Sequence, residues 1–229
     1  MFSIKTYNNS YKVDWDNFVD ISKNSTFLFK REFMDYHAEK FEDFSLLIFY
    51  NSELIALFPC NIREGEVYSH EGLSYGGIIV KGDIKFLKYL ELFTYLLKYF
   101  DEKSINKLYI KQIPSIYNSN FNGELDYLSF IIGAKIYRRD IISVIEMKNE
   151  NKISKDRIQG YKRGKKNKLE IKETDDLDEF WNSILTPTLL NRHDVNPVHS
   201  LEDIKKLKSF FNNNIKQFNV YHKDQIVAG

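Results

Sequence analysis

Two short stretches of this chain occur twice, in the same order, and that repetition constrains the fold more than any other feature. Asp14-Trp15-Asp16-Asn17-Phe18 resembles Asp176-Leu177-Asp178-Glu179-Phe180, and each opens a helical pattern. Tyr50-Asn51-Ser52-Glu53-Leu54-Ile55 resembles Tyr221-His222-Lys223-Asp224-Gln225-Ile226, and each places a short polar turn between apolar runs. The second copy carries about nine more residues between helix and hairpin, an insertion that loops tolerate. The order of elements agrees as well, which predicts two related α/β units.

Periodicity fills in the first unit. Phe2 to Tyr7 alternates as a strand does, and Asp14 to Ser22 spaces Trp15, Phe18, Val19 and Ile21 helically behind an Asp cap. A second helix is predicted over Lys30 to Lys40, with Phe33, Met34, His37 and Phe41 on one face. Strands follow at Phe44 to Tyr50 and Leu54 to Asn61, then a brief one at Glu66 to Ser69 after Gly65. Asp83 is the expected cap of a long helix reaching Asp101, with Leu87, Leu90, Phe93, Leu97 and Phe100 facing inward. A strand at Ile105 to Gln112, a helix at Phe121 to Ile132 and a strand at Ala134 to Met147 complete the unit. The order β-α-α-β-β-β-α-β-α-β argues for an α/β (α+β) mixed sheet with helices on its faces.

The polar stretch Asn149-Glu150-Asn151-Lys152 marks the boundary, giving a first domain over 1–148 and a second over 149–229. Composition changes there: nine Lys or Arg residues fall between Lys152 and Lys172 against Asp156 and Glu170. A basic helix is expected over Ile153 to Lys168, then a strand at Leu169 to Lys172. Helices follow at Asp176 to Arg192, interrupted near Pro187, and at Ser200 to Phe211 behind the capping box Ser200-Leu201-Glu202-Asp203. Two strands about the His222-Lys223-Asp224 turn come last. The second unit thus reads as its first strands only, and a half-built sheet leaves an open edge. That pattern predicts a longer native chain or a truncated gene product.

Charge and cysteine content exclude several classes. The 33 basic and 32 acidic residues leave a net charge of +1, so no wholesale basic coat for nucleic acid exists. Cys60 is the single cysteine, which rules out a disulfide framework within the chain. The start, Met1-Phe2-Ser3-Ile4-Lys5, lacks the layout of a signal peptide, and no run reaches the roughly 18 apolar residues of a membrane span. A cytoplasmic globular protein is the expectation. With 43% apolar residues, the core has ample material.

Three places carry candidate chemistry. In Ser69-His70-Glu71-Gly72-Leu73-Ser74-Tyr75-Gly76-Gly77, His70 can exchange a proton near neutral pH, and Gly76 and Gly77 permit close backbone approach to a ligand. The competing reading makes the glycines a bulge and His70 a partner of nearby backbone. Arg192 can clamp an acceptor's phosphate or carboxylate, with His193 or His199 taking a proton. The bland alternative is helix C-capping by cations, stopped by Pro197. Lys162, Arg163 and Lys165 on the basic helix form either an anion handle for tRNA, a lipid-linked phosphate or a membrane surface, or a solvated face. The histidines and Cys60 show no metal-ligand spacing, so no metal is expected. Nor is there a Gly-x-Ser-x-Gly for serine chemistry.

Five segments resemble one family. Phe27 to Phe41 (FLFKREFMDYHAEKF), Leu54 to Asn61 (LIALFPCN), Ser69 to Gly77 (SHEGLSYGG), Asn191 to Ser200 (NRHDVNPVHS) and Gln225 to Gly229 (QIVAG) are similar to the FemAB-like branch of the GNAT acyltransferases. The resemblance covers essentially the whole chain as a pattern. It implies tandem GNAT-like units, the first complete and the second truncated after its first strands. It implies transfer of an acetyl or aminoacyl group to an amine of an amino sugar or cell-envelope precursor, as in polysaccharide-cluster acyltransferases. The donor would be acetyl-CoA, another acyl-CoA or an aminoacyl-tRNA.

GNAT chemistry holds the donor's pyrophosphate on backbone N–H groups at a helix N-terminus, usually within Gln/Arg-x-x-Gly-x-Gly/Ala. In the first unit that place is Tyr75 to Asp83, which has glycines at another spacing and a carboxylate where phosphates would sit. The equivalent place in the second unit lies beyond Gly229. The chain as given is therefore expected to lack a full donor site. Two functions remain: an acyltransferase whose acceptor meets His70, Tyr75, Arg192 and His199, or a non-catalytic binding or scaffold protein with the same fold.

Overall fold

The computed structural model describes residues 1–36, 38–147 and 152–229, which leaves His37 and the expected boundary residues Asn149 to Asn151 outside the described residues. The chain divides into two compact units, Met1–Lys135 and Ile136–Gly229.

In the first unit, β1 (Phe2–Thr6) leads through a 3-10 turn into α1 (Lys12–Ile21) and then α2 (Arg31–Asp35). The strands β2 (Glu42–Asp43), β3 (Leu46–Tyr50), β4 (Glu53–Phe58), β5 (Asn61–Arg63), β6 (Glu66–Tyr68) and β7 (Ile79–Val80) follow. Then come α3 (Phe86–Glu102), β8 (Leu108–Tyr109) and α4 (Glu124–Ile131). One antiparallel sheet has the order β1-β3-β4-β7, and a second has β2-β5-β6-β8. Within the second sheet β8 runs parallel to β6, with Val67 opposite Leu108.

The first sheet is covered on both faces, which explains why β3 reads Leu46-Leu47-Ile48 without polar alternation. Leu46, Ile48, Ala56, Phe58 and Val80 pack with Tyr89, Leu92, Phe93, Leu96 and Phe100 of α3. Leu47, Leu57 and Ile79 pack on the other side with Trp15, Phe18 and Val19 of α1, and with Phe29 and Met34. Each fully buried large aliphatic contributes about 1.5–3 kcal/mol relative to exposure. The Trp15 indole donates to the Phe29 carbonyl at 2.7 Å, so its one polar atom is satisfied inside the core.

In the second unit, α5 (Lys155–Lys166) precedes β9 (Glu170–Thr174). Next are α6 (Asp178–Phe180), a π-helical turn (Trp181–Leu185), α7 (Thr186–His193) and α8 (Leu201–Phe210), then β10 (Gln217–His222) and β11 (Gln225–Ala228). Pro187 has no N–H and its ring crowds the preceding turn, so the helix widens ahead of it. The sheet order is β11-β10-β9, all antiparallel. Leu177, Leu207, Phe211 and Ile226 form its buried apolar residues, while Ile171 and Phe218 stay exposed.

The two hairpins have the same geometry. Asn51 and Ser52 take φ of 48° and 68°, and Lys223 and Asp224 take 51° and 63°. Both are two-residue turns of the kind that matches strand twist. Each hairpin also shifts register shortly before its turn, between Ile48 and Phe49 and between Val220 and Tyr221. The shared geometry pairs Tyr50 with Glu53 and His222 with Gln225, one residue from the alignment that matched Tyr50 with Tyr221. In each unit the opening strand pairs antiparallel with the first hairpin strand.

Several expected elements differ. Asp14 does not cap α1, which starts at Lys12 behind Tyr11, and Ile21 is exposed. Asp83 lies upstream of Lys85, the N-cap residue of α3. The inward face of α3 is Tyr89, Leu92, Phe93, Leu96 and Phe100, and Leu87 is 70% exposed. That helix is apolar around most of its circumference, so two stripes competed, and the buried one includes a tyrosine. The second helix ends at Asp35 rather than Lys40, and Ala38–Lys40 is a 3-10 turn. The strand expected over Ala134 to Met147 does not form; its described residues take no regular structure. No strand among the described residues pairs with it, and propensity without a pairing partner does not make a strand.

Candidate functional site

The glycine loop is assembled from within. β6 and β8 run side by side, and the hydrogen bonding continues past them as Ser69 N donates to the Tyr109 carbonyl (2.8 Å) and Gly76 N to the Lys111 carbonyl (2.5 Å). Residues 70–75 are thus an excursion from an otherwise continuous parallel pairing, which Gly76 rejoins beside Gln112. A Cβ on Gly76 would stand 2.2 Å from the Ser69 carbonyl oxygen, so the two ends of the excursion could not close as they do. Gly77 takes φ of 110°, a conformation that side chains oppose. Both glycines therefore have a local structural reason, as a bulge reading requires.

The excursion is pinned by its neighbours. Asn61 Nδ2 donates to Glu71 Oε2 at 2.9 Å, and Asn61 Oδ1 accepts from Glu71 N at 2.7 Å. The Lys111 ammonium donates to the carbonyls of Glu71 and Leu73. His70 is buried, has a left-handed φ of 63°, and lies 5.4 Å from the Phe41 ring. The Tyr75 hydroxyl donates to Thr26 Oγ1 at 3.0 Å, and its ring sits 5.1 Å from Tyr117. Burial pushes the Tyr75 phenol above its ordinary pKa despite the Thr26 contact, so it stays protonated at neutral pH.

In the second unit, Arg192 and His193 occupy the last turn of α7 and are exposed. Asp194 closes that helix in the left-handed conformation, its N–H donating to the Leu190 carbonyl at 3.1 Å. The Arg192 guanidinium sits where the helix dipole favours a cation. His199 is half-buried just ahead of Ser200, whose capping box with Asp203 is formed in both directions. Lys162, Arg163 and Lys165 are exposed on α5, with Lys165 4.8 Å from the Tyr161 ring centre. A shallow cleft nearby in sequence is lined by Asp175, Leu177, Lys205, Lys208, Ser209 and Asn212. Its lysines are already engaged, Lys208 with Asp175 at 3.0 Å and Lys205 with Asp178 at 2.8 Å.

A cleft of about 530 Å³ in the first unit contains none of the residues singled out from sequence. It lies at the start of α3 and α4, and its lining is Phe86, Phe121, Gly123, Glu124 and Tyr127. The Phe86 and Tyr127 rings meet edge-on at 5.6 Å, and the Phe121 side chain is wholly exposed. Lys23, 4% exposed, anchors the cleft's wall: its Nζ donates to Glu124 Oε1 at 2.6 Å, and its carbonyl accepts from Ser119 N at 2.7 Å. Glu124 Oε2, Asn118 Oδ1 and Asn122 Oδ1 are buried with no hydrogen-bond partner among the described residues. The signal in the sequence was a lone phenylalanine within the turn-rich run Asn118-Ser119-Asn120-Phe121-Asn122-Gly123.

This surrounding does not suit a pyrophosphate at the start of α3. The polar side-chain atoms left wanting are acceptors, and Asp83 adds a further carboxylate close by in sequence. Gly82, the glycine nearest that helix start, has ordinary room, with Asn120 Nδ2 3.7 Å from where a Cβ would stand. Among the described residues no group of three or more His, Cys, Asp or Glu side chains is placed to hold a metal. No helix among them is long and apolar enough to cross a membrane.

No family model matches the chain. No curated protein sequence matches it either. Among solved structures, the chain is similar to the ribosomal-protein-S18-alanine N-acetyltransferase from Escherichia coli. That match has 14% identity and a TM-score of 0.36, covering 47% of this chain and 64% of that enzyme. It is also similar to AAC(6')-Iy in complex with a CoA-S-monomethyl-acetylneamine bisubstrate analogue, at 12% identity and TM-score 0.40. There 64% of this chain and 99% of the other are covered. The aminoglycoside N-acetyltransferase AAC(6')-Iy in complex with CoA matches at 12% identity and TM-score 0.39, over 63% and 95% of the two chains.

Proposed function

We propose that the chain is an acyltransferase of GNAT architecture, of the FemAB-like branch, built from tandem units. It would transfer an acetyl or aminoacyl group to the amine of an amino sugar or cell-envelope precursor in the cytoplasm. The observation that carries this reading is the path β7–α3–β8, in which β8 returns parallel to β6 beside the antiparallel sheet β1-β3-β4-β7. The matched hairpins of the two units support the tandem arrangement. In such a reaction the free amine attacks the donor's acyl carbon, a tetrahedral intermediate forms, and the amine's proton leaves as the thiol or tRNA hydroxyl departs. Within the first unit His70, Tyr75, Gly76 and Gly77 are the proposed acceptor contacts; within the second, taken by itself, they are Arg192, His193 and His199. Lys162, Arg163 and Lys165 are the proposed anion contacts. Since α3's start does not fit a pyrophosphate, the acyl-CoA or aminoacyl-tRNA donor is assigned to the second unit.

A second reading has a specific observation behind it. The packing role of Gly76 and Gly77 and the buried position of His70 are what a non-catalytic scaffold of this fold would also show. The deciding experiment offers acetyl-CoA with D-glucosamine, and separately aminoacyl-tRNA, to the protein. Amine-dependent release of thiol, or of deacylated tRNA, is expected for one donor. No turnover with either leaves the scaffold reading.

A further inference from the structure

The cleft formed by Phe86, Phe121, Gly123, Glu124 and Tyr127 has a chemistry that the functional reading above does not use. We propose that it is a binding site for a primary ammonium group carried on a small apolar or sugar-like ring. The inference depends on the first unit alone, and absence of acyl transfer would leave it standing.

Three observations converge. First, three aromatic side chains line the opening, and their ring faces carry the partial negative charge that attracts a cation. Phe121 is 103% exposed, an arrangement that water does not favour and that a covering ligand would relieve. Second, the Glu124 carboxylate is half-used: Oε1 accepts from Lys23, whereas Oε2 has no donor. Third, the loop leading into the cleft holds two further buried oxygens without a donor, Asn118 Oδ1 and Asn122 Oδ1, behind the lining residues rather than among them. Unpaired buried acceptors cost free energy that N–H donors recover.

Charge points the same way. Glu124 and Asp126 both open α4, and Lys23 is the one cation in contact with Glu124 on the described bonds. Their carboxylates, after burial itself, raise the pKa of the Tyr89 phenol on the buried face of α3, a sign of negative potential on this side of the unit. A metal ion wants several charged or polar ligands around it, and Glu124 is the one carboxylate among the lining residues. A quaternary ammonium would satisfy the rings but offers no N–H to the oxygens. A primary ammonium does both.

The test is a titration of the full chain with cyclohexylammonium chloride, beside cyclohexanol and inorganic pyrophosphate, followed by calorimetry and by Phe and Tyr ring resonances. The amine is expected to bind at least about tenfold more tightly than the alcohol, and to shift the Tyr127 resonances. Phe121→Ala should weaken the amine about two- to fivefold without changing the melting temperature, because that ring is wholly exposed. Glu124→Gln should erase the preference for amine over alcohol. If that variant fails to fold around Lys23, the Phe121→Ala result decides. Equal binding of amine and alcohol, no response to Phe121→Ala, no binding of the amine, or pyrophosphate shifting these resonances in its place would overturn the assignment.

Discussion

Replacing Arg31 by methionine probes the most demanding buried charge in the first unit. The guanidinium is 2% exposed, and its Nη2 donates to Asp35 Oδ1 and, at 2.6 Å, to Asp43 Oδ2. Its carbon centre stands 3.7 Å from the Tyr7 ring and 5.3 Å from that of Trp15. Burial works against the charge, but Asp43 and Asp35 outweigh it and hold the group protonated. Met keeps the length of the stem and removes the cation, so the loss isolates the electrostatic part. Removing one partner of a buried pair costs about 3–5 kcal/mol, because the other charge is left behind. Here the carboxylates that remain are 39% and 29% exposed and gain some hydration, which places the expected cost near the lower end, about 3 kcal/mol. Urea unfolding should therefore shift its midpoint down by about 1–2 M. The two units need a unit-specific probe, so Trp181→Phe serves as background and Trp15 fluorescence reports the first unit. Neutralising Asp35 and Asp43 with Asn in the Arg31→Met background should restore much of the loss. A cost under about 1 kcal/mol, or no rescue by the neutral pair, would refute the reasoning.

Other expectations follow from single features. Gly76→Ala should cost about 1–3 kcal/mol by denaturant unfolding, whereas Gly164→Ala in α5, with only Leu169 Cδ1 at 3.6 Å, should gain up to about 1 kcal/mol. The Cys60 thiol, pushed well up by burial and then by the Asp43 carboxylate, should ignore a disulfide reagent at pH 8 until urea opens the unit. Glu32 is held below its usual carboxylate range: burial raises it, but the hydrogen bond from Lys12 and the neighbouring charges prevail. Its contribution is therefore present above the unfolded value of about 4.3 and lost as pH falls through the lower folded one, so Glu32→Gln should differ from the parent at pH 7 and converge with it near pH 2.

What could be read beforehand was local and periodic. The turns at Asn51-Ser52 and Lys223-Asp224 were legible because short polar breaks between apolar runs admit few geometries. The capping box at Ser200 and the break near Pro187 were legible because each rests on a single side chain's chemistry. The buried face of α3 was not, since Leu87 and Leu90 satisfy the same spacing as Tyr89 and Leu92. Which stripe wins depends on where the sheet lies. The cleft at Phe121 was hidden for a related reason. Periodicity placed Phe121 inside a helix that in fact begins at Glu124, so a residue standing in solvent read as part of a regular element.

Residues 136–147 carry a consequence for how the protein behaves in concentrated solution. Ile141 is 97% exposed and Ile145 71%, within a β-prone stretch that pairs with no strand among the described residues. Such a segment offers a template to another copy of itself, and its pairing would grow steeply with concentration. Arg138, Arg139 and Asp140 interrupt the apolar run near its start, as charges that repel stacked neighbours do. Removing those charges would turn a tolerated stretch into a nucleus for fibres.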